Sequence, residues 1–169
     1  MAIAKTLGSD LEAAGFSVIY TRTDDRLLYN ADENIKGIRK ISDLKNRCKI
    51  AAEYPEAMFV SIHMNSYGDA KYSGLQVYYS CNNQKSEALA SSVQSTVKSE
   101  LQKDNQRVVK SGEAIYILKN TNNPSILIEC GFLTNPEECE KLSQKEYQKR
   151  LSLAIVYGII NYKEQISKI

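Results

Sequence analysis

His63 and Glu129 are the two residues of this sequence whose types and surroundings could do chemistry together. His63 is the only histidine in 169 residues and stands in "FVSIHMNS" (59–66). Glu129 stands in "SILIECGFL" (125–133), a mostly apolar run. A carboxylate held among such neighbours is costly unless it is paired, hydrogen-bonded or metal-bound. Period-two alternation puts Leu127, Glu129 and Gly131 on one face of that run and Ile126, Ile128 and Cys130 on the other, with Gly131 leaving open space beside the carboxylate. Taken singly, each has an ordinary structural account: a glutamate at a strand end that reaches water, and a half-buried ring. Both, however, fall near the carboxyl ends of buried strands, where open α/β sheets gather ligands. An imidazole that holds a metal and a carboxylate that works a metal-bound water are the parts of a metal-assisted hydrolase. A catalytic zinc takes three protein ligands and a water, so His63 cannot make such a site alone.

Other candidates are weaker. Ser61 and Ser66 flank His63, but a Ser-His-Asp site needs a nucleophile within hydrogen-bond reach of the ring, which spacing does not give. Cys130 faces away from Glu129 in a regular strand, against a Cys–His nucleophile. Asp24, Asp25, Asp32 and Glu33 form an acidic loop that reads as a solvated face. The eight glycines are scattered, with no phosphate-cradling loop among them.

The elements that must position these residues alternate in type. Ile3, Leu7, Leu11 and Ala14 predict a helix closed by Gly15. Residues 16–22 read as a strand, and a polar stretch leads to a helix over 42–54 with Ser42 as its N-cap and Pro55 beyond it. Strands follow at 57–63 and 75–80, then an amphipathic helix with Leu89, Val93, Val97 and Leu101 on one face. Residues 112–118 read as a short strand and 125–132 as a buried one. Asn135 caps a short helix with Pro136 at its first position, and a last helix covers 146–165. The pattern predicts one α/β domain over residues 1–169, its mostly parallel sheet flanked by helices on both faces. The join between 112–118 and 125–132 is too tight for a helical crossover, which predicts an antiparallel pair and a mixed sheet.

Composition bounds the rest. Hydrophobic residues make up 43% and charged ones 25%, ordinary for a soluble domain. A net charge of +2 gives no basic face for nucleic acid. No stretch approaches the roughly 20 apolar residues of a membrane span. The four cysteines form no CxxC pair, and free thiols are expected. The start "MAIAKTLGSD" lacks the form of a signal peptide and reads as the middle of a helix.

Several segments, in order, resemble the zinc-dependent N-acetylmuramoyl-L-alanine amidases of the amidase 3 type. "LEAAGFSVIYTR" is similar to their first helix and second strand. "DLKNRCKIAA" is similar to their L-x-x-R-x-x-x-A helix through Leu44, Arg47 and Ala51. "FVSIHMNS" resembles the segment that carries a zinc histidine, "SGLQVYY" the strand after it, and "PSILIECGFLTNPEE" the segment that carries the catalytic glutamate. "NADENIKGIRKISDLKNR" most resembles the germination-specific, sporulation branch, which helps make muramic lactam in the spore cortex.

The resemblance implies hydrolysis of the amide between the lactyl group of muramic acid and the first L-alanine of peptidoglycan. It implies zinc as cofactor, His63 as a ligand and Glu129 as general base and acid. The metal would polarise the carbonyl and bring its water to a pKa of about 7. Asn65 matches a position beside the metal. Peptidoglycan is the implied partner, with an accessory protein allowed for, and the cell wall or cortex the implied location. The family pattern also has an earlier strand and G-H-G-G segment supplying the first zinc histidine, followed by a glutamate ligand; this sequence begins after them. The chain is therefore expected to be an N-terminally truncated catalytic domain lacking the first strand of its sheet. The alternatives are an inactive module of the same fold that binds peptidoglycan or a protein partner, and an α/β hydrolase with a serine nucleophile.

Overall fold

In the computed structural model, which describes residues 1–167, β4 (Ser125–Phe132) is the axis on which everything else is hung. It is the most apolar strand and has a neighbour on each side. The sheet order is β1-β4-β2-β3, with β1 at Phe59–Asn65, β2 at Gln76–Tyr79 and β3 at Lys110–Ser111. β1 runs parallel to β4, β2 antiparallel to β4, and β3 parallel to β2. The sheet is mixed, as expected, but its antiparallel pair is β2–β4.

Alternation along β4 divides the core. Ile126, Ile128, Val77, Val60 and Ile62 meet α1 (Ala2–Ala13), α3 (Lys85–Glu100) and α6 (Lys145–Ile166). Leu127, Phe59 and Tyr78 on the opposite face meet Leu44 and Cys48 of α2 (Arg39–Ala52) and Ile117 and Leu118 of α4 (Tyr116–Lys119). Helices therefore cover both faces, and the larger core lies on the α1/α3/α6 side. Each Leu, Ile or Val fully buried there contributes about 1.5–3 kcal/mol. Gly158 lets α6 approach α3, because a Cβ on it would stand 2.6 Å from the Val93 Cα. The Ser92 hydroxyl donates to the Gly158 carbonyl at 2.8 Å and ties the same crossing.

Local signals decide the element ends. α1 closes where Gly15 takes φ +86°, with Phe16 N–H donating to Leu11 O and Gly15 N–H to Glu12 O, a Schellman motif. Asn135 caps α5 (Pro136–Ser143), its Oδ1 accepting from Glu138 N–H at 3.1 Å.

Three expectations are corrected. Residues 16–22, expected as a strand, carry no ladder; a strand persists only where a neighbour takes its hydrogen bonds, and among the described residues none does. Residues 112–118 do not form a strand: the chain turns after β3 and enters α4. α2 starts at Arg39, so Ser42 lies inside it, where its hydroxyl donates to Glu33 Oε2 at 2.5 Å and accepts from Asn30 N–H.

Candidate functional site

The register of three strands brings the chemistry together. Glu129 on β4 is directly opposite His63 on β1 and directly opposite Gln76 on β2. Residues paired in this way share a sheet face, so His63, Glu129 and Gln76 form one polar row on the α2 side. The register shifts just beyond it: His63 and Asn65 are two apart, but their partners Glu129 and Phe132 are three apart. β4 therefore carries an extra residue beside Glu129, a bulge that breaks its alternation. The space at Gly131 is not open, since a Cβ there would stand 3.1 Å from both Glu138 carboxylate oxygens and from Leu142.

The loop after β1 is clasped to the segment after β4. Leu133 N–H donates to Asn65 O, Tyr67 N–H to Thr134 Oγ1, and Asn135 Nδ2 to Ala70 O. Glu138 closes the clasp, accepting from Gly74 N–H and Phe132 N–H, both at 2.8 Å. Asn65 Oδ1 accepts from Ser66 N–H at 2.8 Å and shapes the turn.

Glu129 is half-buried, and its Oε2 is fully buried without a hydrogen-bond partner among the described residues. Burial pushes its carboxyl above the usual carboxylate value. His63 lines a groove of about 1030 Å³ between β1, α1, α2 and residues 16–22. Its pKa is lowered first by desolvation, then by the charges of Arg47, Lys40 and Arg22. His63 is exposed to solvent, which screens these charges and keeps their effect modest. A neutral imidazole offers a lone pair to a metal. Arg47 is held by Asp43 at 2.9 Å, the two side chains 14% and 3% exposed, and Asp43 also accepts from Leu28 N–H.

The donor set does not by itself fit a complete zinc centre. Among the described residues, no group of three or more His, Cys, Asp and Glu side chains could hold a metal ion. One imidazole facing three cations is one donor, where zinc takes three or four.

The remaining candidates separate cleanly. Cys130 is fully buried against the other core, and its thiol is pushed up to about 12. Asp24 is engaged by Arg26, and Glu33 by Ser42 and Asn30, which makes the acidic loop a hydrogen-bonded surface. All four cysteines are free thiols, as expected. No described helix is long and apolar enough to cross a membrane. Sequence reading missed Gln76 and Glu138. Gln76 carried the same signal as Glu129, a polar residue inside an apolar strand.

Comparison with known proteins bears on this geometry. The family described as N-acetylmuramoyl-L-alanine amidase, amidase 3, matches residues 1–161. The germination-specific N-acetylmuramoyl-L-alanine amidase of Bacillus subtilis is 34% identical over 90% of this chain, which spans 64% of that relative's length. The CwlD amidase of Clostridioides difficile, solved in complex with the GerS lipoprotein, is 41% identical with a TM-score of 0.91, covering 97% of this chain and 84% of that one. The amidase AmiC2 of Nostoc punctiforme is 29% identical with a TM-score of 0.80, covering 96% and 81%.

Proposed function

Since the chain belongs to the amidase 3 family of N-acetylmuramoyl-L-alanine amidases, we propose that it serves the hydrolysis of the amide between N-acetylmuramic acid and the L-alanine of the peptidoglycan stem peptide. The observation that carries this reading is the juxtaposition of Glu129, half-buried with an unpartnered oxygen, and His63 across the β1–β4 ladder. A carboxyl raised by burial is suited to take a proton from an attacking water and return it to the leaving nitrogen. Glu129 is the general base and acid in this reading. His63 is one ligand of the zinc that the family resemblance implies. The clasp between the two loops keeps the strand ends, and so the two side chains, in register.

The similarity to the germination-specific and CwlD amidases favours a cell-wall or spore-cortex substrate. The CwlD structure includes a lipoprotein, and a lipoprotein is the accessory partner this reading carries to the present chain. A second reading, an inactive module of the same fold that binds peptidoglycan, is favoured by the incomplete donor set.

Zinc analysis and muropeptide digestion decide between them. Near-stoichiometric zinc, lost on His63→Ala, together with release of stem peptides from muramic acid, supports the amidase. Retained binding to sacculi with neither zinc nor cleavage makes this chain a binding module.

A further inference from the structure

Gln76 ends the polar row on the side away from His63, facing Glu129 across the β2–β4 pair. Residues opposed in this way have Cα atoms about 4.5–5.5 Å apart. Gln76 is 1% exposed. Its amide nitrogen donates to Val108 O at 2.5 Å and to Val77 O at 3.4 Å. Both acceptors are carbonyls, which fixes the amide orientation: nitrogen toward the backbone, Oε1 away from it. Gln76 Oε1 is buried without a hydrogen-bond partner among the described residues, and so is Glu129 Oε2.

Two acceptors on neighbouring side chains cannot satisfy each other while the carboxylate is ionised. They need a donor with two protons, and the smallest is water, which characteristically settles on otherwise unmet buried polar atoms. Leu75 and Val77 on either side are fully buried and the amide nitrogen is bound to backbone carbonyls, so Oε1 is the part of this side chain that the described residues leave unmet. The terminal torsion of a glutamate is broad. A carboxylate without hydrogen bonds is therefore poorly aimed.

We infer that one ordered water donates to both Gln76 Oε1 and Glu129 Oε2, and that Gln76 is thereby a positioning residue for Glu129. The bridge pins one carboxylate oxygen and leaves Oε1 for the reacting water. The catalytic half of this inference rests on the proposed hydrolysis; the water itself rests on the two unmet oxygens.

Crystallography at high resolution tests the water directly. A peak within about 2.5–3.0 Å of both oxygens is expected in the wild-type chain. A direct Gln76–Glu129 contact, or no density between them, overturns the inference. Kinetics test the role. Gln76→Leu is expected to lower kcat roughly 10–100-fold, the range for lost orienting partners, with KM unchanged. The same substitution in a Glu129→Gln background is expected to add nothing. An unchanged kcat, or an equal loss in both backgrounds, removes the positioning role. If the wild-type protein cleaves no muropeptide, the proposed function fails while the density still decides the water. The wild-type density also stands should Gln76→Leu not fold.

Discussion

The two faces of the sheet are built from the same strands yet obey different rules. On the α1/α3/α6 side Ile126, Ile128 and Val77 of the central strands are completely buried, with Cys130 beside them and Tyr79 packed at the edge. On the α2/α4 side the Leu127–Tyr78 pair gives way, at the next pair on the same face, to Glu129 and Gln76, with His63 opposite Glu129 on β1. Two of those three carry a buried oxygen with no hydrogen-bond partner among the described residues. One face holds the fold together, and the other accepts unmet polar groups where its strands end. Unmet groups that persist beside a well-packed core mark a place where the sequence is constrained by chemistry.

Substitutions that separate activity from stability test this division. The largest effect belongs to the polar face. Glu129→Gln is expected to reduce hydrolysis by roughly 10²–10⁴-fold in an active preparation, with the urea midpoint kept or raised and the zinc content unchanged. Loss of metal along with activity would mean that the carboxylate is a ligand and the assigned roles are exchanged. Ile128→Ala, one residue back on the opposite face, should do the reverse. It empties a fully buried site and should cost about 2–5 kcal/mol in urea unfolding, while folded protein keeps its turnover. Equal effects of both variants on both readouts would erase the distinction between the faces.

Most of this division was legible in residue types. Apolar alternation in 125–132 located β4 and its two faces, and the placement of a histidine and a glutamate at strand ends located the row. What stayed hidden depended on partners distant in sequence. Residues 16–22 have strand-forming side chains, but among the described residues no neighbouring strand takes their hydrogen bonds. Residues 112–118 are apolar enough for a strand, yet Ile117 and Leu118 cover Leu127 from a helix. The bulge at Glu129 could not be read either, because it is defined by the register of β4 against β1, two segments distant in sequence, and not by any local motif. Gln76 was visible as a polar residue in an apolar strand, but only the β2–β4 pairing places it opposite Glu129.

The clasp itself gives a middle-sized test. Glu138 accepts two backbone N–H groups with its two oxygens. Glu138→Leu keeps the volume and leaves both donors unmet, at about 1–3 kcal/mol for each. Urea unfolding should register that loss, and hydrogen exchange at Gly74 and Phe132 should accelerate. Activity should fall as well, since the clasp fixes the ends of β1 and β4. A stability loss with full activity would mean that the row keeps its register without the clasp.

The smallest effect is the pH dependence of stability, and it comes from the polar face, with opposite signs at Glu129 and His63. Burial raises the Glu129 carboxyl above its ordinary 4.5, so between that value and the folded one the native state holds more protons than the unfolded chain. Stability falls as pH rises through that window. His63 is lowered from 6.5, so its native form holds fewer protons there, and stability is lost as pH falls below 6.5. Urea midpoints followed across both windows should therefore lose the first slope in Glu129→Gln and the second in His63→Ala. Ile128→Ala should lower the whole curve and keep both slopes, because a cavity on the apolar face carries no proton. If Ile128→Ala changes a slope, the two faces are electrostatically coupled through the sheet, and the division between them lies elsewhere.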